Sequence, residues 1–330
     1  MAYKSHQGLN MQKWLLSRLF DIKEQPAPRF AFYGTVNWMR ALHLCVDVNF
    51  EEGALRKHYS GVEVRPINRL ADTIVFENIF MAFNHVAGLA SILNDVENSY
   101  DISRPAIAIW YRTIFSAASA MVVAATGALP STRDAIADAW QTELANRGLI
   151  ISPFSLVLSS LISARYQAEV DAYRGGNEFD INSPPRNYEQ AWGGIVSYLA
   201  GTADYERGRA EILIRETNEF RALEVDNFRT KASQQVRDAY LQNMKVSFLV
   251  QARRYAGKAN YRDSIFLTYG EDRRDQLDQF LVDLVSVAKA FLRMACTYCS
   301  CRVEPGTWDQ FVDDVESNSR LSLDALLLRT

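Results

Sequence analysis

The stretch that decides the fold is SRPAIAIWYRTIFSAASAMVVAATG, which runs from Ser103 to Gly127. Its apolar residues recur with helical spacing, and small residues in its second half allow a neighbouring helix to approach closely. Ser103 is a residue type that caps helix N-termini, and Pro105 fits just inside a helix start. Gly127 is typical of a helix end. We expect one long, buried helix between Ser103 and Gly127.

Two further helices are predicted after this one. Ser131, followed three residues later by Asp134, resembles a capping box, and Gly148 indicates the end of that helix. Ser152–Pro153 predicts the start of a third helix, which Gly175–Gly176 ends. Residues 103–176 are therefore predicted to form a helical hairpin followed by a third helix.

The rest of the chain also shows helical periodicity, with one exception. Residues 30–50 are ambiguous, because Leu44, Val46, Val48 and Phe50 alternate as in a strand, so a short β-hairpin is an alternative there. Elsewhere, helices are predicted at about 10–23, 66–93, 188–200, 204–220, 228–256, 258–269, 277–295 and from 307 onward. We predict an all-α, two-lobed multi-helix bundle, divided into residues 1–101, 102–176 and 177–330.

Composition narrows the classes of protein to consider. A length of 330 residues favours two lobes over one core, and 48% hydrophobic residues are typical of a globular protein. The net charge of -3 means that any attraction to nucleic acid must be local. The N-terminus lacks a signal-peptide pattern and the chain has 4 cysteines, which favours a reduced, cytoplasmic protein. The uncharged run 113–132 is rich in small residues, so we expect a buried helix and no membrane span.

Residues 102–176 resemble the HEPN superfamily of small helical domains. The resemblance rests on Trp110-Tyr111-x-x-x-Phe115, the small-residue helix after it, Thr132-Arg133, Gly148, Arg165, Asp171 and Tyr173. It implies a helical core. It also implies a setting such as a bacterial toxin–antitoxin system or phage defence, in which many relatives act.

The chain departs from the ribonuclease motif of this superfamily, in which an Arg precedes a His by somewhat more than one helical turn. The four histidines all precede or fall outside residues 102–176, namely His6, His43, His58 and His85. Arg40 lies too close to His43, and Arg56 too close to His58. Ser116 stands where family members often carry His. The resemblance therefore implies a binding or dimerisation platform.

A basic segment at residues 229–262 is the strongest candidate for nucleic-acid binding. It holds eight Lys and Arg residues against Asp238 alone, which gives a local charge of +7, and tyrosines interleave with the cations. Cations grip phosphates, and aromatic rings stack on bases. The residues predicted to bind RNA or single-stranded nucleic acid are Arg253, Arg254, Tyr255, Lys258, Tyr261 and Arg262. The alternatives are a solvated face paired with acidic neighbours such as Glu271, or a protein-binding face.

A polar cleft and a metal site are weaker candidates. Tyr111, Arg112, Arg165 and Tyr173 are predicted to line a polar cleft, although Arg112 could instead form a buried ion pair with Glu169 or Asp171. Zinc could bind at Cys296, Cys299 and Cys301 with Cys45 or a His. Because a second C-x-x-C pair is missing, we predict small core residues there, with no metal and no cofactor.

We therefore expect a HEPN-like protein without catalytic activity that binds RNA or assembles as a homo- or hetero-oligomer. The first rival hypothesis is a metal-independent ribonuclease toxin with a divergent active site. The second is a purely structural oligomeric scaffold.

Overall fold

The protein is all-α, as the sequence predicts. The structure is a computed structural model that describes Leu15 and residues 28–50, 53–95, 97–260 and 264–329. Within these residues there are thirteen α-helices and no strand, and the only β-type pairing is one bridge between Leu158 and Val246. The helix predicted at 10–23 lies outside the described residues, apart from Leu15.

The helices are numbered in chain order. They are α1 (Pro28–Asn49), α2 (Ala54–Tyr59), α3 (Arg69–Asp95), α4 (Ser99–Thr126), α5 (Arg133–Glu143), α6 (Ser163–Arg174), α7 (Tyr188–Arg215), α8 (Asn218–Arg221), α9 (Lys231–Leu241), α10 (Phe248–Asn260), α11 (Ile265–Thr268), α12 (Arg274–Arg302) and α13 (Thr307–Asn318). Short 3₁₀ helices follow α5 at Ala145–Arg147 and α13 at Ala325–Leu328.

Helix α4 is the centre of the fold, and α3, α5, α10 and α12 pack around it. Trp110, Ile114, Ala117 and Met121 are fully buried there. Its alanines leave room for close helix contacts, and the large rings of Trp110 and its neighbours fill the remaining core. The prediction of a long, buried helix is confirmed.

Helix α4 begins one turn earlier than predicted. Asn98, not Ser103, is the N-cap, and its side chain accepts a hydrogen bond from the backbone N–H of Tyr100 at 3.4 Å. Pro105 consequently lies inside the helix. Ser103 is buried and donates to the backbone oxygen of Ser99 at 2.6 Å, so its hydroxyl is used within the helix.

Two arginines cap the carboxyl end of α4, where helix carbonyls lack partners of their own. Arg65 Nη1 donates to the oxygen of Val123 at 3.0 Å, and Arg302 Nε donates to that of Ala124 at 3.2 Å. Arg65 also forms an ion pair with Asp72. Gly127 closes the helix with φ 81°, as predicted.

Gly175 ends its helix as predicted, whereas Gly148 ends the 3₁₀ helix at Ala145–Arg147 and α5 itself ends at Glu143. The predicted starts of both helices are wrong. Gly148 and Gly175 have φ of 70° and 56°. The cap of α5 is Thr132, whose Oγ1 accepts from Ala135 N at 3.1 Å, instead of Ser131. The helix predicted from Ser152 begins only at Ser163, because the preceding chain is bonded to a distant segment, with Leu158 N donating to Val246 O at 3.0 Å.

The β-hairpin considered for residues 30–50 is wrong, since this region is helix α1. Leu42, Cys45 and Val46 are buried while Val48 is 50% exposed, which follows a helical and not an alternating pattern. The start of α3 also differs from the prediction, because the helix begins at Arg69 and not at residue 66, and Ile67 and Leu70 are 66% and 74% exposed.

Two predicted helix boundaries between residues 188 and 260 are also wrong. Helix α7 is continuous from Tyr188 to Arg215, where two helices were expected. Conversely, the helix predicted over 228–256 is split into α9 and α10, because the intervening Val246 pairs with Leu158. Gly257 lies within α10 and does not end it.

The domain division stays a prediction. The boundary predicted at residue 102 falls inside α4, whereas the boundary at 177 falls in the loop after α6. Buried apolar residues from all three predicted segments belong to one connected core.

Two described helices, α3 and α4, are long and apolar enough to cross a membrane by length and composition. The apolar window of α4 is 67% buried within the fold, and that of α3 is 39% buried. Core helices of soluble proteins pass the same test, so cytoplasmic localisation stays a prediction.

Candidate functional site

The two arginines predicted to bind nucleic acid in α10 are held by neighbouring helices. Arg253 forms an ion pair with Asp134 of α5 and lies 3.8 Å from Glu206 of α7. Arg254 donates to Thr202 Oγ1 at 2.9 Å, and its guanidinium lies over the rings of Tyr198 and Tyr205 at 5.2 and 5.0 Å. Both side chains therefore join α10 to other elements, with Arg253 still 38% exposed.

The other predicted contacts in this segment need correction. Tyr255 is fully buried and cannot stack on a base, and its Oη donates to the backbone oxygen of Thr35 at 3.0 Å. Burial raises the pKa of this phenol well above its ordinary value. Lys258 is also buried and is turned towards Gly34 of α1. Tyr261 and Arg262 lie outside the described residues.

A group of aromatic rings and arginines lies where α4, α5 and α10 meet. Tyr111 and Phe115 share one face of α4 because they are four residues apart, and Arg112 lies beside that face, three residues before Phe115. The Tyr111 and Phe115 rings are 6.1 Å apart, and the guanidinium of Arg133 lies 5.6 Å from the centre of Phe115. We call Tyr111, Arg112, Phe115, Arg133 and Arg253 the arginine–aromatic surface.

Electrostatics links Tyr111 to the basic segment. Burial raises the pKa of the half-buried Tyr111 phenol, while the positive charges of Arg133 and Arg253 act in the opposite direction. One surface therefore holds residues from two sites that were predicted separately. Tyr111 and Arg112 belong to the predicted polar cleft, and Arg253 belongs to the basic segment. From the sequence, Phe115 and Arg133 were named only as positions that resemble HEPN domains, and not as binding residues.

The buried ion pair predicted for Arg112 is wrong. Arg112 is exposed, and Glu169 instead accepts from the backbone N–H of Ser159 at 2.8 Å. The positive charge of Arg112 acts on His85 of α3, whose pKa is lowered mainly by burial and further by this charge.

Arg165 and Tyr173 belong to a different part of the surface. Both lie on α6, which packs against α7. Arg165 is exposed, and Tyr173 Oη donates to the backbone oxygen of Val157 at 2.9 Å. No hydrogen bond, ion pair or ring contact in the described part of the chain joins either residue to Tyr111 or Arg112.

A second polar cluster lies between α1 and α12, and sequence reasoning missed it. Asp283 is fully buried, and its Oδ1 accepts from Arg40 Nη1 and Gln279 Nε2, each at 3.0 Å. Its Oδ2 has no hydrogen-bond partner among the described residues. His43 Nε2 lies 3.9 Å from Oδ1, and His43 Nδ1 is 2.9 Å from Ser286 Oγ.

Burial raises the pKa of Asp283, an effect that Gln279, Arg40 and His43 offset only in part. Arg40 and His43 are three residues apart in the chain, but their contact with α12 depends on tertiary packing. The sequence does contain one indication of this cluster, because Asp283 is a single carboxylate among the apolar residues Leu281, Val282, Leu284 and Val285. Such a residue in a core stripe is expected to have a partner.

The order Asp283, His43, Ser286 does not make an acyl-transfer site. A separation of 3.9 Å is too long for a hydrogen bond between His43 and Asp283. Ser286 lies in the middle of α12, where backbone N–H groups are bonded within the helix and cannot stabilise an oxyanion. The cluster instead connects two core helices.

The cysteines do not assemble a metal site within the described residues, where no group of three or more His, Cys, Asp or Glu side chains could hold an ion. Cys45, Cys296 and Cys299 are buried in the core. Burial raises the pKa of Cys45 to about 12 and also raises those of Cys296 and Cys299. These thiols stay protonated at neutral pH, whereas a metal binds the thiolate.

Comparison with known proteins finds no matching family model, no matching curated protein and no matching solved structure.

Proposed function

We propose that this chain binds single-stranded nucleic acid, with RNA as the preferred ligand, through the arginine–aromatic surface. The observation that supports this is that two arginines from two other helices, Arg133 and Arg253, lie close to the half-buried rings of Tyr111 and Phe115, with the exposed Arg112 next to Tyr111 in the chain. Arginine binds phosphate, and an aromatic ring provides a stacking face for a base.

The charge of this surface is only partly neutralised. Arg253 is paired with Asp134 and lies near Glu206. Arg112 and Arg133 form no ion pair with any described residue, and both are exposed. These two arginines are therefore the ones available to phosphate groups. The resemblance of residues 102–176 to HEPN domains without the ribonuclease motif also favours binding over cleavage.

The test is the salt dependence of binding to a fluorescein-labelled single-stranded RNA, followed by fluorescence anisotropy. The double variant Arg112→Ala/Arg133→Ala should bind more weakly, and the slope of log K against log salt should fall by about 1.4. A matched control, Arg165→Ala/Lys231→Ala, removes two exposed cations from other helices. Equal weakening in both double variants, or no binding by the unmodified protein at low salt, would contradict the proposal.

A metal-independent ribonuclease is the second candidate, because His85 lies near Arg112 at the edge of the arginine–aromatic surface. The lowered pKa of His85 favours the neutral imidazole at neutral pH, the form that acts as a general base. Cleavage of RNA in the presence of a chelator, lost in His85→Ala, would support this activity. Intact RNA after prolonged incubation would exclude it.

Assembly with a second copy is a further proposal, supported by the exposed apolar residues Val64, Ile67 and Leu70 before and at the start of α3. Light scattering after size exclusion should then show an oligomer that Ile67→Ser/Leu70→Ser dissociates. A monomer at high concentration would contradict this.

A further inference from the structure

A pocket of about 460 Å³ lies on the outer side of α12, beside the Asp283 cluster and separate from the arginine–aromatic surface. Helices α1, α2 and α3 and the 3₁₀ turn at Ala325–Leu328 form its other walls. Its volume is in the range of small-molecule sites in proteins.

The walls of this pocket are mostly apolar. Val46 comes from the last turn of α1, Phe50 from the residue that follows this helix, Leu55 from α2 and Leu93 from α3. These residues could bury the apolar part of a ligand. A pocket with apolar walls and a few convergent polar groups is the usual form of a site for an organic molecule.

The polar groups of the pocket are concentrated on one face of α12. Ser286, Lys289 and Arg293 follow one another at intervals of three and four residues, which places them on the same side of the helix. Neither the Lys289 side chain nor the Arg293 side chain forms an ion pair or hydrogen bond with any described residue. Asp47 is the one carboxylate in the lining, so the local charge is +1.

Two neighbouring cations without partners repel each other, and an anion placed between them would relieve that repulsion. Water screens this repulsion at the exposed Arg293 and screens it less at the half-buried Lys289, which lies against the apolar walls. Arg and Lys both bind carboxylates and phosphates. The pair therefore favours an anionic group but does not distinguish a carboxylate from a phosphate.

We propose that this pocket binds a small organic anion, with its carboxylate or phosphate between Lys289 and Arg293 and its apolar body against Val46, Phe50 and Leu93. Ser286 lies one turn before Lys289 and shares a hydrogen bond with His43. Its hydroxyl oxygen can also accept a hydrogen bond from a donor on the ligand. The ligand would thereby contact the polar cluster that joins α1 to α12.

The test compares four probes: phenyl phosphate and benzoate, which carry both an anion and an apolar ring, inorganic phosphate, and benzyl alcohol. Binding is followed by NMR of methyl-labelled alanine, because Ala290 lines the pocket. We expect saturable shifts of the Ala290 methyl signal with phenyl phosphate or benzoate, and at least ten-fold weaker binding of inorganic phosphate and benzyl alcohol. The tighter of the two aromatic anions identifies the head group.

The variant Lys289→Gln/Arg293→Gln should weaken binding of the aromatic anions at least ten-fold. The control Arg165→Gln/Lys231→Gln removes the same charge from other helices and should leave their affinity unchanged. Absence of a saturable shift with both aromatic anions would overturn the proposal. So would equal binding of benzyl alcohol or inorganic phosphate. These ligand comparisons use the unmodified protein and remain decisive if a variant does not fold.

Discussion

Tyr255 donates a hydrogen bond from its Oη to the backbone oxygen of Thr35, 3.0 Å away, in the buried contact between α10 and α1. Its ring lies 4.7 Å from that of Trp38 and 5.3 Å from that of Trp110. Tyr255→Phe should therefore lower the free energy of unfolding by about 1 kcal/mol, and Tyr255→Ala by about 3–5 kcal/mol. Urea unfolding measures both. If Tyr255→Phe weakened RNA binding without changing stability, the buried role assigned to this ring would be wrong.

Tyr111 should contribute to RNA binding through its ring. Tyr111→Ala is expected to weaken binding by about 1 kcal/mol or somewhat more, the lower end of what one stacked base contributes, because the ring is half-buried. Tyr111→Phe keeps the stacking face and should bind nearly as well as the unmodified protein. Anisotropy titrations at one fixed salt concentration compare the three proteins. An equal loss in Tyr111→Phe and Tyr111→Ala would show that the hydroxyl, and not the ring, is used.

Arg302 should stabilise the end of the central helix. Arg302→Ala removes its bonds to Ala124 O and to Glu63 O, the latter 2.6 Å long, and leaves carbonyl groups without those donors. We expect a loss of about 1–3 kcal/mol in the free energy of unfolding. Arg302→Lys is the matched control. Lysine keeps the positive charge but lacks the planar guanidinium that donates to several carbonyl oxygens at once. Arg302→Lys should therefore recover only part of the lost stability.

Asp283 should make stability depend on pH. Because its pKa is higher in the folded protein than in the unfolded chain, the native state binds the proton more tightly between these two values. The free energy of unfolding therefore falls as pH rises from about 3.9, the ordinary value, towards the folded value. Asp283→Asn removes this titration.

The difference in unfolding free energy, unmodified protein minus Asp283→Asn, should accordingly become more negative as pH rises through that window. Urea unfolding at a series of pH values measures it. Asp278→Asn, an exposed carboxylate on the same helix, controls for the loss of one charge. A difference that grows more positive with pH would mean that Arg40 and Gln279 outweigh the cost of burial.

The thiols should differ sharply in reactivity. Cys301 is half-buried, with its Sγ 3.2 Å from the backbone oxygen of Thr297, while Cys45, Cys296 and Cys299 are buried. An aromatic disulfide reagent at mildly alkaline pH should modify Cys301 first, and the other three only after unfolding, because the thiolate is the reactive form. Mass spectrometry identifies the modified sites. Rapid reaction of Cys296 in the native protein would contradict the burial described here.

Local patterns in the sequence predict the elements well where one residue type has a clear physical role. The apolar stripe from Leu277 to Ala295 lies in α12, and Gly127 and Gly175 end helices as expected. The choice of cap is harder to predict, because Asn98 and Ser103 both suit an N-terminus and only packing decides between them.

The candidate site depends on contacts that the chain order hides. Tyrosine is a residue type that can stack on a base, but the position of Tyr255 in the helical period of α10 places its ring in the core. Arg253 meets Tyr111, and His43 meets Ser286, only because α10 packs on α4 and α12 packs on α1. Spacing along the chain therefore could not reveal either neighbourhood.

The capping of α4 has a consequence for the order in which the protein is made. Arg302 is 178 positions after Ala124, whose oxygen it binds, whereas Arg65 precedes Val123 by 58 positions. On the ribosome, the end of the central helix can therefore be capped from one side long before the other. Until Arg302 emerges, α4 in the nascent chain is apolar on most sides, and only part of its carboxyl end is capped. The fold can therefore be completed only after α12 has been synthesised.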